Sequence, residues 1–212
     1  NGLHVILHQD NSTPIVAVTV FYHVGSKDED PERTGFAHFF EHLMFEGSEN
    51  IDRGEYDKFI QAAGGTLNAN TSSDRTYYFQ TLPSNQVELG LYMESERMLH
   101  AKIDSAGIAT QKEVVKEEKR LRIDNQPYMI FQEKMFAADF HGTNYDWTPI
   151  GSFADIDAAT EQDFKDFYNT FYVPNNATLS IAGDIDKAQV KELVEKYFSE
   201  IPRGSKEIPR PT

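Results

Sequence analysis

The sequence predicts an α+β domain in which a β-sheet is layered with helices. Two segments rich in β-branched and aromatic residues, 3–8 and 15–24, are typical of strands, and the turn-forming run DNSTP lies between them. We therefore predict that these two strands form a hairpin. Segments with a helical apolar period follow, and helices and strands are mixed along the rest of the chain.

The remaining elements follow from periodicity and from residues that begin or end helices. A polar loop, residues 25–35, separates the second strand from the first helix. The stretch 66–82 predicts two strands around a polar turn, and NNATLSIAGDI predicts a last strand. Thr160 and Asp186 are expected to cap the last two helices. The other predicted helices are 36–45, 54–63, 84–100, 108–125 and 129–140, and the segment predicted to be irregular is 141–159.

Composition and charge indicate a globular chain and narrow the classes of partner. Of the 212 residues, 39% are hydrophobic and 25% are charged, which is typical of a folded domain. The formal net charge of -14 repels phosphate backbones, so we expect no nucleic-acid partner. We expect no membrane span, because apolar runs stay short of the roughly 18 residues that a span needs. The chain has no cysteine, which excludes disulfides and thiolate ligands but fixes no compartment.

The two ends of the sequence predict a single domain followed by a linker. Residues 1–202 are predicted as the globular core, and residues 203–212, rich in proline and charge, as a linker toward a second domain. The chain begins at Asn1 with no initiator methionine and no signal-peptide pattern. We therefore expect a processed product or an excised piece.

The segment HFFEH, residues 38–42, carries the clearest chemical signal. On a helix His38 and His42 lie one turn apart, so both imidazoles can reach one cation. Glu41 shares their side, where it can take a proton from a metal-bound water. The pattern H-x-x-E-H favours zinc, which accepts imidazole nitrogen and lowers the pKa of bound water. The opposite side of this helix is an apolar stripe of Phe36, Phe39, Phe40 and Leu43.

An amphipathic helix with two exposed histidines is the alternative interpretation of the same segment. His4 and His8 form a second pair with the same spacing, but their segment is strand-like and carries no carboxylate. We interpret that pair as ordinary strand residues. The isolated histidines receive the same interpretation, and they are His23, His100 and His141.

A catalytic zinc ion usually has three protein ligands, so a third ligand is expected elsewhere in the chain. The helix predicted at 108–125 contains an apolar arc, at roughly 100° per residue, and Glu118 falls inside it. The residues that define the arc are Val114, Val115 and Leu121. Glu117 lies at the rim of the arc, and Glu113 lies outside it. A buried carboxylate is unfavourable unless it is paired or bound to a metal. Glu118 is therefore the candidate ligand, and an ion pair with Arg122 is the alternative.

Four segments, in order, resemble those of the pitrilysin-like metallopeptidases. They are FYHVGSKDED, TGFAHFFEHLMFEGSEN, GGTLNANTSSDRTYYF and EVVKEEKRLR. The spacing of 76 positions between His42 and Glu118 also matches that family's pattern for its third ligand. The resemblance implies one zinc ion per chain on His38, His42 and Glu118, with Glu41 as general base. It further implies an antiparallel sheet with helices mostly on one side.

The resemblance extends to residues around the site. Asn68 and Ala69 match positions where an edge strand meets the substrate backbone, which implies that they bind an extended peptide. The alternative for Asn68 is an ordinary residue near the turn of a hairpin. Gln111 stands where the family usually has a second glutamate that supports the site. Gln111 can orient a ligand by hydrogen bonding but cannot supply charge.

The implied function is that of a zinc-dependent metalloendopeptidase domain acting on peptides or small unfolded proteins. Members of the family pair such a domain with a homologous one, supplied as a C-terminal domain or as a partner subunit. We therefore expect the isolated domain to bind zinc but to hydrolyse peptides poorly. The alternatives are a non-catalytic binding or assembly subunit on the same fold, and an acidic domain whose histidines bind no metal.

Overall fold

A computed structural model of the chain describes residues 1–210 and shows a β-sheet layered with helices. Within these residues the strands are β1 (His4–Gln9), β2 (Ile15–Tyr22), β3 (Thr66–Thr71), β4 (Thr76–Pro83) and β5 (Ala177–Gly183). The α-helices are α1 (Phe36–Leu43), α2 (Tyr56–Ala62), α3 (Val87–His100), α4 (Ser105–Lys119), α5 (Ile130–Asp139), α6 (Phe153–Ala158), α7 (Glu161–Phe171) and α8 (Lys187–Phe198). This architecture confirms the predicted α+β class.

The sheet is mixed, with the strand order β1-β5-β2-β4-β3. β1 runs parallel to β5, whereas the other neighbouring strands are antiparallel. The predicted hairpin of residues 3–8 and 15–24 is therefore wrong, because β5 lies between the two strands. β5 buries Leu179 and Ile181 completely in the centre of the sheet, whereas β1 is half exposed and suits an edge. The expected antiparallel sheet is thus corrected to one with a parallel pair at one edge.

Several local predictions are confirmed. β3 and β4 form the predicted pair around a polar turn, with Thr71 opposite Thr76. The side chains of Thr160 and Asp186 accept backbone N–H groups in the first turns of α7 and α8, as caps do. The predicted helix at 108–125 is α4 followed by a π-helical turn.

The segment 141–159 was predicted to be irregular, but its second part forms α6. The carboxylate of Asp155 accepts hydrogen bonds from the N–H and the hydroxyl of Thr34, at 3.0 and 2.6 Å. This contact joins α6 to the loop before α1, far away in the sequence. A helix of one or two turns is marginal alone, so its presence here depends on tertiary contacts that periodicity cannot show.

The apolar stripe predicted for α1 is buried between the sheet and α7. Phe36 and Phe39 stack on Phe164, with ring centroids 4.8 and 4.6 Å apart. Tyr78 of β4 donates a hydrogen bond from its hydroxyl to the carbonyl of Phe40 at 3.0 Å. Because this side of α1 is fully packed, the polar side of the helix faces away from the core.

The last described residues, 203–210, lie along the domain. The guanidinium of Arg210 donates to the carbonyl of His23 at 2.8 Å. The predicted boundary at residue 202 stays a prediction, and residues 211 and 212 of the predicted linker lie outside the described part of the chain. Among the helices of the described residues, none is both long and apolar enough to cross a membrane.

Candidate metal centre

Helix α1 carries His38 and His42 on its polar side, one turn apart. The ring centroids of the two imidazoles are 4.9 Å apart. Both side chains are largely buried, with 12% of His38 and 24% of His42 exposed. The alternative of two freely exposed histidines on an amphipathic helix therefore does not describe this pair.

Helix α4 brings Glu118 to the same point. Its Oε2 lies 2.9 Å from Nε2 of His42 and 3.5 Å from Nε2 of His38. One potential ligand atom from each of the three residues lies within 4.8 Å of the others. The second oxygen, Oε1, lies 2.8 Å from the guanidinium of Arg122. The two interpretations of Glu118 thus coexist, because one oxygen faces the histidines and the other pairs with arginine.

The apolar arc that pointed to Glu118 is partly wrong. Val114 and Leu121 are 42% and 56% exposed, so they do not define the packed side of α4. That side runs through Ile108 and Val115, which are buried, and the side chain of Glu118 is only 13% exposed. Glu118 lies on this packed side because α4 lies against α1.

The pKa shifts of His38 and Glu118 suit metal binding. Burial, and then the nearby charge of His42, lower the pKa of His38 to about 4. The hydrogen bond from His42 lowers the pKa of Glu118 below its usual value, against the effect of burial. A neutral imidazole and an ionised carboxylate are the forms that bind a metal ion. Two nitrogens and one oxygen around one point form the donor set of catalytic zinc sites.

Glu41 lies beside this cluster and is held by strand β3. Its Oε2 accepts a hydrogen bond from the hydroxyl of Thr71 at 2.6 Å. Burial raises the pKa of Glu41, and the Thr71 hydroxyl opposes that rise. Glu41 borders a cleft of about 570 Å³ that also contains His38, His42 and Glu118. A carboxylate in this position can exchange a proton with a water molecule in the cleft.

Asn68 and Ala69 lie on β3, which is the edge of the sheet within the described residues. Both residues line the cleft. β3 pairs with β4 on one side, where Asn68 faces Phe79 and Ala69 faces Tyr78. The other edge of β3 therefore borders the cleft beside the three candidate ligands.

The side chain of Gln111 forms a hydrogen bond outside the histidine cluster. Its amide nitrogen donates to Oε1 of Glu46, and Glu46 also pairs with Arg53. Gln111 lies two turns before Glu118 on α4, on the same packed side. The predicted role of Gln111 in orienting a ligand stays a prediction.

Sequence reasoning gave no role to Glu29, whose carboxylate lies at the start of α1. It is 3% exposed and accepts hydrogen bonds from the backbone of Gly35 and Ala37, both at 2.8 Å. It also accepts one from Nε1 of Trp147 at 2.9 Å. Burial raises its pKa, and these three donors oppose the rise. Its position in the GSKDE segment of the resemblance was the available signal.

Comparison with known proteins places this chain in a family. Residues 4–148 match the family profile described as Insulinase (Peptidase family M16). The chain belongs to the insulinase family of peptidases. Residues 158–212 match a second profile, described as Peptidase M16 inactive domain. Membership confirms the resemblance to pitrilysin-like metallopeptidases.

Several insulinase-family relatives and structures are similar along nearly the whole chain. The zinc protease PqqE of Helicobacter pylori is 35% identical over 213 residues, which cover 100% of this chain and 48% of the relative. The mitochondrial-processing peptidase subunit beta of Blastocladiella emersonii is 27% identical, covering 97% of this chain and 44% of that subunit. A crystal structure of a protease from Helicobacter pylori superposes with a TM-score of 0.94 at 34% identity, covering 100% of this chain and 51% of that one. This chain therefore spans about half the length of these relatives.

Proposed function

We propose that this insulinase-family chain is the zinc-bearing half of a metalloendopeptidase. The observation that carries the proposal is the convergence of His38, His42 and Glu118 beside the carboxylate of Glu41. The first three residues would hold one zinc ion. Zinc bound there would polarise a substrate carbonyl and lower the pKa of a water molecule.

Glu41 is proposed to move the protons in peptide hydrolysis. Its carboxylate would accept a proton from the attacking water and later donate it to the leaving amine. Thr71 would hold the carboxylate toward the cleft during this exchange, because its hydroxyl already donates to Oε2. Gln111 would support the site indirectly, through its hydrogen bond from α4 to Glu46, which follows α1 in the chain.

The substrate is proposed to be an extended peptide or a small unfolded protein. Within residues 1–210, β3 pairs with a strand on one side only, and a peptide can add to the other edge as a further strand. Asn68 and Ala69 lie on this edge and would contact the peptide backbone.

Full activity is proposed to need a second, homologous half. The relatives are about twice as long as this chain, which covers 48% of the Helicobacter protein. Large apolar side chains are also exposed in the segment after α4, and one of them, Met129, lines the cleft. The exposed residues are Leu121, Tyr128, Met129, Ile130, Phe131, Met135 and Phe140. An apolar surface of this kind usually marks a site of contact. A second half seated there would cover it and close the cleft. A non-catalytic subunit on the same fold is the competing proposal, and the intact set of ligands and base speaks against it.

The test is peptide cleavage by this chain joined to a second half homologous to that of the Helicobacter protease. The joined protein should cleave an unstructured peptide, and Glu41→Gln should reduce kcat at least 100-fold while zinc stays bound. Glu113→Gln is the matched control, because Glu113 is an exposed glutamate on α4 outside the cleft. A joined wild-type protein that holds zinc and cleaves nothing would favour the non-catalytic subunit.

A further inference from the structure

Helix α1 is too short to hold its own shape. It has 8 residues, and isolated helices below about 12 residues are marginal in water. His38 lies in its first turn and His42 in its last turn. These are the turns that fray first, because their backbone groups lack partners within the helix. The spacing of the two imidazoles therefore depends on what holds each end of α1.

The N-terminal end of α1 lacks a cap of its own. The residue in the capping position is Gly35, which has no side chain and adopts φ 92°. Glu29 supplies the missing acceptors from the preceding loop. Its Oε2 accepts the N–H of Gly35 and its Oε1 accepts the N–H of Ala37, both at 2.8 Å. One buried carboxylate thus caps the turn that contains His38.

Burying this carboxylate is unfavourable unless its oxygens are well satisfied. No lysine or arginine of residues 1–210 forms an ion pair with Glu29. Its partners are instead the backbone N–H groups of Gly35 and Ala37, at the start of α1, and the indole N–H of Trp147. Trp147 lies in the loop after α5 and shares its indole N–H with the carbonyl of Ser26. Glu29 therefore connects two loops to the first turn of α1.

The C-terminal end of α1 is held by different groups. The hydroxyl of Tyr78 donates to the carbonyl of Phe40 at 3.0 Å, and Nε of Arg97 lies 3.4 Å from the carbonyl of Met44. Arg97 is paired with Glu94, so this end is held by hydrogen bonds without a free charge. Buried side chains from outside the helix therefore hold both ends of α1, and Glu29 holds the end that carries His38.

We infer that Glu29 is a positioning residue for the metal centre, which fixes the first turn of α1 and so presets His38 opposite His42 and Glu118. The inference rests on the proposed function, because it assigns Glu29 a role in the proposed zinc site. When part of the protein has a frayed α1, the apparent zinc affinity falls in proportion to the competent fraction. Loss of Glu29 therefore weakens zinc binding without removing a ligand.

The experiment compares the zinc affinity of the wild-type chain with that of Glu29→Gln, by competition with a chromogenic chelator. Glu29→Gln should weaken zinc binding about tenfold, in the range found when residues that orient ligands are lost. The cobalt(II) form of the variant should also show a changed d–d absorption spectrum, because the position of His38 is no longer fixed. Trp147→Phe removes one of the three donors to Glu29 and should weaken binding in the same direction, by a smaller factor. It supplies the test if Glu29→Gln does not fold.

The matched control is Asp186→Ala. Asp186 is also a carboxylate cap, whose Oδ1 accepts two backbone N–H groups of α8 at 2.8 and 2.9 Å. The Asp186→Ala variant loses a cap that is remote from α1, so it should be less stable than the wild type. The zinc affinity and the cobalt spectrum of this variant should nevertheless match those of the wild type. Equal zinc affinity in the wild type, Glu29→Gln and Trp147→Phe would overturn the inference and leave the proposed function intact. Absence of zinc binding in the folded wild type would overturn the proposed function itself.

Discussion

At the scale of single residues, the two carboxylate oxygens of Glu118 have different partners in the candidate centre. Oε2 faces both histidines, and Oε1 pairs with Arg122. An arginine beside one oxygen orients the carboxylate and favours its ionised form. Glu118 is thereby held ready for a metal ion by a residue that is itself exposed to solvent.

Asp163 shows how one carboxylate makes stability depend on pH. It accepts hydrogen bonds from the N–H and hydroxyl of Thr160 at 2.9 and 2.7 Å, and it pairs with Arg33. The hydrogen bond from the Thr160 N–H is the largest cause that lowers its pKa below the ordinary 3.8. A lowered pKa in the folded state stabilises the protein above about pH 4, and this contribution disappears as the pH falls through the folded pKa.

We therefore predict that Asp163→Asn lowers the free energy of unfolding by about 1 kcal/mol at pH 7 and by progressively less below pH 4. Urea unfolding of both proteins between pH 2.5 and 7 measures the difference. Asp166→Asn on the same helix is the control and should follow the wild type at every pH. A difference between Asp163→Asn and the wild type that stays constant down to the lowest pH would contradict this account.

At the scale of elements, the position of α1 depends on a close approach between two loops. A Cβ atom at Gly151 would lie 2.3 Å from the Cα and the N of Gly35, which is the residue before α1. Gly151 also has φ +66°, a conformation that favours glycine. Glycine at both positions lets the loop before α6 pack directly on the loop that carries Glu29.

We predict that Gly151→Ala lowers the free energy of unfolding by about 3 kcal/mol or more, because the new methyl group collides with the backbone. Gly142→Ala is the matched control. Gly142 has a similar φ of +77° but open space around it, so alanine there should lose only about 1 kcal/mol from the backbone conformation. Urea unfolding measures the loss of stability in both variants. Equal losses would contradict this account, because they would show that the close approach to Gly35 does not make alanine at position 151 more destabilising.

The elements also show how far sequence reasoning reaches. The pair of His38 and His42 could be predicted because a spacing of four places both on one side of any helix. Glu118 could be singled out as a carboxylate inside a predicted apolar arc, but the packed side of α4 was misassigned, since Val114 and Leu121 are exposed. Periodicity shows that a helix has an apolar side and a polar side. Which side is buried depends on where the neighbouring helix packs.

The hairpin prediction failed for a related reason. β1 pairs with β5, and His4 lies opposite Thr178, so its partner is far away in the sequence. Local turn residues between β1 and β2 indicated a reversal of the chain but not what lies between the strands. The cap supplied by Glu29 was missed in the same way, because it depends on a loop folding back onto α1.

At the scale of the whole molecule, the features that bear on function meet at one cleft. The zinc-ligand candidates and residues of β3 line one cleft, and Met129, from the exposed apolar segment after α4, also lines it. The core behind them is extensive, with the inward side chains of β2 completely buried. We therefore expect the chain to stay folded when metal is removed, so that loss of metal can be separated from loss of fold.

The measurement that tests the central claim most directly is zinc stoichiometry by elemental analysis, after dialysis against a weak chelator. The account predicts one zinc ion per wild-type chain and marked loss in Glu118→Gln, with unchanged circular dichroism in both. A variant with both His4→Ala and His8→Ala is the control, because that pair has the same spacing on a strand and should leave the zinc content at one. A folded wild-type chain without zinc, or a Glu118→Gln protein that retains it fully, would contradict the account.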